Sequence, residues 1–353
     1  MSTLLSHSQA WADRYRVSVA LLDDEQARYP LPSWVDVVQL DSRGSLLRSL
    51  RQLGATVRAV RPDVTVSFLV RANLVTTALS LRRGHAAVIS ERAQTSGHFP
   101  AGVRSRVSKA MVRALYPRAD RVIAVSAGVA EDLTANFGVA PERVATIGNP
   151  VDVDRVRSRA AEAPQVQPPR PYAVAIGRFT RGKNQRLLLE AFRDAPPDLH
   201  LVLLGTGPEW DALHAQVLAA GLQDRVTFAG FVSNPYAVLR GAAFYVSASN
   251  GEGFPNALAE SLALGIPSIH TNCAAGPSEL LEGRAREQVQ GLSVGDSGIL
   301  VPTDDLPGLR HAIALMCRPE VREALAAGAR RRGELLGVTG ACEQYWRVVA
   351  SVL

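Results

Sequence analysis

Residues 172–192 read YAVAIGRFTRGKNQRLLLEAF, and this stretch decides the fold. Five residues of strand-like apolar sequence run into Gly177. A second glycine, Gly182, precedes Lys183, and LLLEAF then carries an apolar helical face. A strand that turns sharply at glycine into an amphipathic helix is the opening of a βαβ unit. The same alternation extends downstream through HLVLLG, RVTFAG, AFYVSAS and PSIH, separated by PEWDALHAQVLAAG and PNALAESLALG. Upstream, RVSVALL, VDVVQL, VTVSFLV, AAVIS and RVIAVS alternate with helical patterns such as SLLRSLRQLGATVRAV. Strands apolar on both faces, each followed by a helix, imply parallel sheets. The expected class is α/β, with two facing Rossmann-like, doubly wound domains across a cleft. Ligands belong at the carboxyl ends of such strands.

A length of 353 residues suits two domains. Residues 148–171, GNPVDVDRVRSRAAEAPQVQPPRP, hold five prolines and little apolar periodicity. They read as a connection, giving domains at 1–155 and 171–353 with a linker at 156–170.

Composition excludes several classes. The three cysteines, Cys273, Cys317 and Cys342, form no CxxC and are odd in number, which argues against a disulfide framework or a cysteine zinc site. No apolar run reaches the ~18 residues of a membrane span, and MSTLLSHSQAWADRYR lacks the pattern of a signal peptide. The expected location is cytoplasmic, with room for peripheral attachment at the inner membrane face. Residues 1–150 carry 19 basic and 12 acidic side chains, whereas 151–353 carry 20 and 21. Within 71–121, ten basic residues face only Glu91 and Asp120, so the first half attracts an anionic partner. Nucleic acid is not expected, because the basic residues are not interleaved with stacking aromatics.

Two constellations carry chemistry. In Gly177-Arg178-Phe179-Thr180-Arg181-Gly182-Lys183-Asn184, glycines allow a tight turn, a helix start offers free amides, and Arg178 and Lys183 add charge. This is a diphosphate cradle in outline. It almost spells a P-loop, but Asn184 lacks the hydroxyl that holds magnesium. The second, Ser249-Asn250-Gly251-Glu252-Gly253-Phe254-Pro255-Asn256-Ala257-Leu258-Ala259-Glu260, follows AFYVSAS. Pro255 suits the first turn of a helix whose amides near Asn256 and Ala257 face an anion. Glu260 lies about one turn further and can accept two hydroxyls, as a ribose diol offers, while Glu252 can do the same for a sugar.

These strings resemble a family. EGFPNALAES is similar to the E-x7-E motif of the retaining GT4 glycosyltransferases of the GT-B fold, and GRFTRGKN to their Gly-Arg…Lys motif. VRPDVTVSFLVRANLV, AAVISERAQ, LYPRADRVIAVSAGVAEDL and IGNPVD resemble the N-domains of members that assemble bacterial lipid-linked glycans. In those members SER is followed by asparagine; here Ala93 follows. The resemblance covers about residues 5–350. It implies a nucleotide-diphosphate-sugar co-substrate, no cofactor or required metal, and net retention. Carried over, Arg178 and Lys183 hold the diphosphate, beside Gly177. Glu252 binds the donor sugar and Glu260 the ribose. Backbone amides from Phe254 and Pro255 to Asn256 and Ala257 meet phosphate oxygens, and the base sits near Phe231 and Val232. The 1–155 domain becomes the acceptor side and 171–353 the donor side, with the last helix packing back on the first domain. The family's opening strand and glycine loop have no counterpart here: the chain is expected to begin inside the first helix, at about STLLSHSQAWADRY, with an N-domain lacking its first strand. That departure keeps open a nucleotide-sugar-binding protein without transferase activity. The expected donor is a UDP-sugar and the expected acceptor a glycan or lipid-linked glycan.

Smaller signals stand beside these. Glu91, Arg92 and His98 follow a strand of the basic half and are acceptor-side candidates, against a structural ion pair. Ser126 either caps a helix or touches the donor. Asp152-Val153-Asp154 spells DxD, but no other ligand is near enough to make it a metal site. In GVRSRVSKAMVRALY, residues 102–116, Val103, Val107, Met111 and Leu115 share a helical face, with Arg106, Lys109 and Arg113 on another. Such a helix lies on an anionic membrane surface or covers a sheet.

Overall fold

The computed structural model describes residues 1–23, 31–99 and 102–353. The chain divides into two compact units. Unit 1 comprises Met1–Pro150 and Val338–Leu353, and unit 2 comprises Val151–Gly337. The strands of unit 1 are β1 (Ser18–Leu21), β2 (Asp36–Gln39), β3 (Val64–Phe68), β4 (Ala86–Glu91), β5 (Arg121–Ala124) and β6 (Val144–Thr146). Those of unit 2 are β7 (Tyr172–Ile176), β8 (His200–Leu204), β9 (Val226–Gly230), β10 (Phe244–Ser247), β11 (Ser268–Thr271), β12 (Ser293–Val294) and β13 (Gly298–Val301).

In unit 2 the seven strands run in the order β12-β13-β11-β10-β7-β8-β9. All neighbours are parallel except the short β12–β13 pair, an antiparallel addition to the all-parallel expectation. Side chains alternate between two cores, as a period of two requires. Ala173, Ala175, Leu201, Leu203, Phe244 and Val246 fill one. Tyr172, Val174, Val202, Leu204 and Tyr245 fill the other. Both faces are therefore covered, and a fully buried side chain of this kind contributes ~1.5–3 kcal/mol. The chain builds outward from β7 through β8 to β9, then returns to place β10 on β7's other edge. The connections that leave β7 and β10 diverge there, which opens a crevice at the carboxyl ends.

Unit 1 has no such reversal. Its larger sheet runs in chain order, β3-β4-β5-β6, and β1 and β2 form a separate parallel pair. Val88 and Ile123 pack with Leu4, Cys342 and Tyr345, so the chain's first turn and its last helix, Val338–Ala350, belong to this core. Trp11, Tyr15 and Trp346 stack with centroids 5.1–6.1 Å apart, and Trp346 Nε1 donates to Ser8 Oγ at 2.7 Å.

Three local expectations change. The opening stretch is a short helix, Ser2–Ser6, and a single 3-10 turn, Gln9–Trp11, rather than one helix. The segment expected as linker from 156 is helical over Val153–Ala160, with Val156 and Ala160 buried in unit 2. Its helix begins where Asp152 accepts from Arg155 N at 3.0 Å, so the first aspartate of DxD is a helix cap. In helix Val103–Leu115, Val103 and Val107 are exposed, while Val112 is buried. The helix packs against helices Val70–Arg83 and Ala127–Phe137.

Candidate functional site

The loop after β7 is built by close backbone approach. Gly177 N donates to Leu204 O at 2.9 Å, and Phe179 N to Thr206 O at 2.9 Å. Gly205 N donates to Gly230 O at 2.8 Å, which links the ends of β7, β8 and β9. A Cβ on Gly205 would stand 1.9 Å from Gly177 O, and one on Gly207 would stand 2.4 Å from Phe179 O. Gly205 also holds φ at +142°, a conformation open to glycine. Phe179 anchors the turn in the core, stacked on Trp210 at 5.5 Å. Arg178 points outward and is exposed, with no side-chain hydrogen bond or ion pair among the described residues. Its carbonyl accepts from Gln185 Nε2 at 3.1 Å.

Lys183 ends a 3-10 turn, Arg181–Lys183, ahead of helix Gln185–Phe192. Its stem lies 3.8 Å from where a Gly177 Cβ would stand. Its Nζ donates to Glu252 Oε1 at 2.5 Å. Glu252 lies in the loop after β10, so the two halves of the switch point meet in this ion pair. The Glu252 side chain is only 11% exposed and that of Lys183 32%, so water screens the pair less than a surface bridge.

A second set of contacts fastens the same two loops. Asn184, in left-handed backbone, donates from Nδ2 to Asn250 Oδ1 at 3.2 Å and to Asp304 Oδ1 at 2.8 Å. Asn250 Nδ2 donates to Asp304 Oδ1 at 3.1 Å, and Asn250 N to Gly182 O at 2.8 Å. The asparagine that spoils the P-loop therefore ties two loops to the turn after β13.

Pro255 sits at the N-cap of helix Asn256–Ala263, one position ahead of the expected first turn. It is buried, and its Cδ lies 2.6 Å from where a Gly276 Cβ would stand, so the loop after β11 sets where this helix starts. The first turn begins with exposed Asn256 and half-buried Ala257, behind half-buried Phe254. Glu260 accepts from Tyr236 Oη at Oε1, 3.2 Å. Burial pushes its carboxyl up to about 7, against the pull of Tyr236 toward the charged form. Behind Glu252, burial holds His270 below its usual value, and its Nε2 has no partner among the described residues while Nδ1 meets Thr271 O at 2.8 Å. Burial first, then the charge of Glu252, pushes the Cys273 thiol up to about 12, so it is inert.

After β9, Phe231 is 74% exposed, whereas Val232 is 8% exposed and packs into the core. Only Phe231 can offer a side chain to a ligand; Val232 has only its backbone to offer.

The unit 1 candidates look different. Glu91 is 1% exposed. Its oxygens accept from Tyr116 Oη at 2.7 Å and Arg92 N at 3.0 Å, and burial raises its carboxyl. It is an internal acceptor, not a side chain facing a ligand, and the alternative ion pair with the Arg92 guanidinium is not formed: Glu91 meets the Arg92 backbone instead. Arg92 Nη1 donates to Tyr345 Oη at 2.6 Å, and its guanidinium covers Phe68 at 5.3 Å. Ser126 caps helix Ala127–Phe137, accepting from Val129 N at 3.3 Å. His98 closes helix Thr95–His98, and its side chain lies outside the described residues.

Sequence reasoning missed Gly205, Gly207, Asp304 and Tyr236. The glycine pair stood directly after a strand and could have been found. Asp304 follows β13, a run that the sequence reading did not single out, and its partners lie in loops far away in sequence.

Residues 2–155 match the model of Glycosyltransferase Family 4, and residues 170–318 that of Glycosyl transferases group 1. A curated relative from Campylobacter jejuni, N-acetylgalactosamine-N,N'-diacetylbacillosaminyl-diphospho-undecaprenol 4-alpha-N-acetylgalactosaminyltransferase, is 31% identical over 233 residues, 65% of this chain and 60% of the relative. The lipopolysaccharide 1,6-galactosyltransferase of Escherichia coli is 29% identical over 170 residues, 46% of each chain. The match thus spans about half to 60% of these relatives' lengths. Among solved structures, Anabaena HepE in complex with UDP superimposes with a TM-score of 0.76 at 19% identity, covering 99% of this chain and 95% of that one. Sucrose-phosphate synthase from Thermosynechococcus elongatus gives 0.80 at 18% identity, covering 98% and 92%.

Proposed function

This chain belongs to the GT4-like glycosyltransferases of the GT-B fold, and on that premise we propose that it transfers a sugar from a nucleotide-diphosphate-sugar to an acceptor hydroxyl with retention of configuration. The observation that carries the reading is the Lys183–Glu252 pair at the switch point of unit 2. One member is a cation within reach of a diphosphate. The other is a carboxylate able to accept sugar hydroxyls, and each holds the other in place before a ligand arrives. Arg178 supplies a second, unengaged cation.

When the donor bond breaks, negative charge grows on the β-phosphate. Lys183, Arg178 and the first-turn amides of helix Asn256–Ala263 stabilise that charge with groups already oriented. Glu260 holds the ribose, and exposed Phe231 stacks on the base. No carboxylate is placed as a nucleophile in this reading. The departing phosphate itself receives the acceptor's proton, and a metal is not required. The family resemblance favours uridine.

Unit 1 is proposed as the acceptor side. Ten basic residues against two acidic ones over 71–121 suit an anionic acceptor. The diphospho-undecaprenol in the Campylobacter relative's name supports a lipid-linked glycan. Exposed Val103 and Val107 beside exposed Arg106 suit peripheral contact with an anionic membrane. No described helix is long and apolar enough to cross one.

A thermal-shift screen against UDP, GDP, ADP and their sugar conjugates tests the donor site. A ligand at ~100 times its dissociation constant adds about 2.7 kcal/mol. A shift with one nucleotide, followed by transfer from its conjugate to a lipid-linked acceptor, is the expected result. Binding without transfer to any acceptor points to the nucleotide-sugar-binding alternative, and no shift sinks the donor site.

A further inference from the structure

Glu260 is only partly engaged within unit 2. One oxygen, Oε1, accepts from Tyr236 Oη at 3.2 Å, and Oε2 has no hydrogen-bond partner among the described residues. Tyr236 stands in the second position of helix Pro235–Arg240, whose start is fixed by Pro235 and by Asn234, a buried residue donating to Arg159 O and Glu162 Oε2 at 2.8 Å each. The tyrosine is thus delivered by a rigid element and not by a loop.

We propose that Tyr236 is a positioning residue for nucleotide recognition: its hydroxyl fixes the rotation of the Glu260 carboxylate at Oε1 and leaves Oε2 to accept from a ribose diol. The inference rests on the reading of Glu260 as the ribose ligand. A carboxylate accepts from both diol hydroxyls, whereas the protonated acid has one oxygen turned into a donor. Tyr236 therefore acts twice, on aim and on charge. Donation from a hydroxyl favours the charged form.

Several charged groups on elements packed against helix Asn256–Ala263 have partners other than Glu260. Arg157 Nε donates to Ala263 O at 3.0 Å, and Arg332 Nε to Leu280 O at 2.7 Å. Glu279 accepts from Gly276 N at 3.4 Å, and the stem of Arg330 lies against Gly265. Tyr236 and, more weakly, Tyr245 on β10 are the titratable groups coupled to Glu260. Burial places the Glu260 carboxyl at about 7, so both forms are populated near neutrality.

The consequence is a pH-dependent affinity. Nucleotide binding selects the carboxylate, so affinity rises with pH through the Glu260 midpoint and then levels. Removing the tyrosine hydroxyl raises the midpoint. A rise of about one pH unit weakens binding up to about tenfold below the midpoint and leaves it unchanged well above.

The test is calorimetric titration of the full chain with UDP, GDP and ADP, and with the 2′-deoxy form of whichever binds, from about pH 5.5 to about pH 9. Wild type, Tyr236→Phe and Glu260→Gln are compared, with melting temperatures to confirm folding. The expected result is a midpoint moved upward in Tyr236→Phe, recovery at high pH, and a much smaller effect on the 2′-deoxynucleotide. If Glu260→Gln weakens binding but Tyr236→Phe leaves both affinity and midpoint in place, the role given to Tyr236 is overturned while the ribose reading stands. If Glu260→Gln binds as wild type does, or none of the three nucleotides binds, the ribose reading falls and this inference with it.

Discussion

The carboxyl ends of the two larger sheets use polar residues in opposite ways. In unit 2 the strand order reverses between β7 and β10, and the loops that part there carry groups with capacity left over. These are an exposed Arg178, a Lys183–Glu252 pair and a Glu260 with one free oxygen. In unit 1 the larger sheet follows chain order, and several polar side chains at its strand ends are consumed internally. Ser67 Oγ donates to Asn73 Oδ1 at 2.8 Å, Asn73 Nδ2 to Ser90 O at 3.0 Å, and Tyr116 Oη to Glu91 Oε2 at 2.7 Å. A satisfied buried network fixes a fold, while an unsatisfied or partly exposed one at a switch point is available to a ligand. Residue type alone does not separate the two, since both units hold glutamates after strands.

The largest effect expected from this contrast is on turnover. Lys183→Ala removes the cation from the switch point and leaves Glu252 poorly solvated and unpaired. Sugar transfer should fall about 10²–10³-fold, equivalent to about 3–4 kcal/mol in the barrier. Helix and strand content by circular dichroism should be retained. Wild-type turnover in a folded Lys183→Ala protein would dissolve the distinction between the units. Next in size is the scaffold beneath the site. Gly205→Ala drives a Cβ to 1.9 Å from Gly177 O at a φ of +142°. It should cost about 3 kcal/mol and lower the melting temperature of unit 2 by several degrees. Gly182→Ala, with nothing within 4 Å of its Cβ, is the control and should be neutral.

Much of unit 2 could be read from the chain. The apolar runs ending at Ile176, Leu204 and Val246 are uninterrupted and followed by glycine or a polar residue, so the strand ends and their loops were visible. The Gly177–Asn184 and Ser249–Glu260 strings carry their chemistry in residue type and local spacing. What could not be read was anything set by distant packing. Asn184, Asn250 and Asp304 meet across 120 residues of sequence, and no local pattern announces that. Tyr236 reaches Glu260 from another helix. In unit 1 the same limit worked the other way. Glu91 and Arg92 looked like ligand-facing charges because burial by Tyr116 and Tyr345 comes from helices 25 and 253 residues away.

A third effect separates stability from binding. The Glu260 carboxyl is raised from an ordinary 4.5 to about 7 in the folded chain. Between those values the native state keeps a proton that the unfolded state has released. Stability therefore falls as pH rises through this window, by at most about 3 kcal/mol, and levels above about 7. Glu260→Gln should flatten that slope in chemical denaturation at stepped pH. A variant curve as steep as wild type would place the titrating group elsewhere.

The smallest effect is the sharpest test of the contrast, because Ser126 had two readings. It follows β5 at a carboxyl end, where a serine could touch a ligand, yet it is 3% exposed and its Oγ already accepts from Val129 N at 3.3 Å. Removing a helix cap costs about 1 kcal/mol. Ser126→Ala should therefore lower unit 1's stability by that amount and leave nucleotide affinity within twofold of wild type. The reverse pattern, unchanged melting with nucleotide binding weakened about tenfold, would mean that a strand end in unit 1 also serves the ligand. Chain-order topology would then be no guide to which polar residues a sheet keeps for itself.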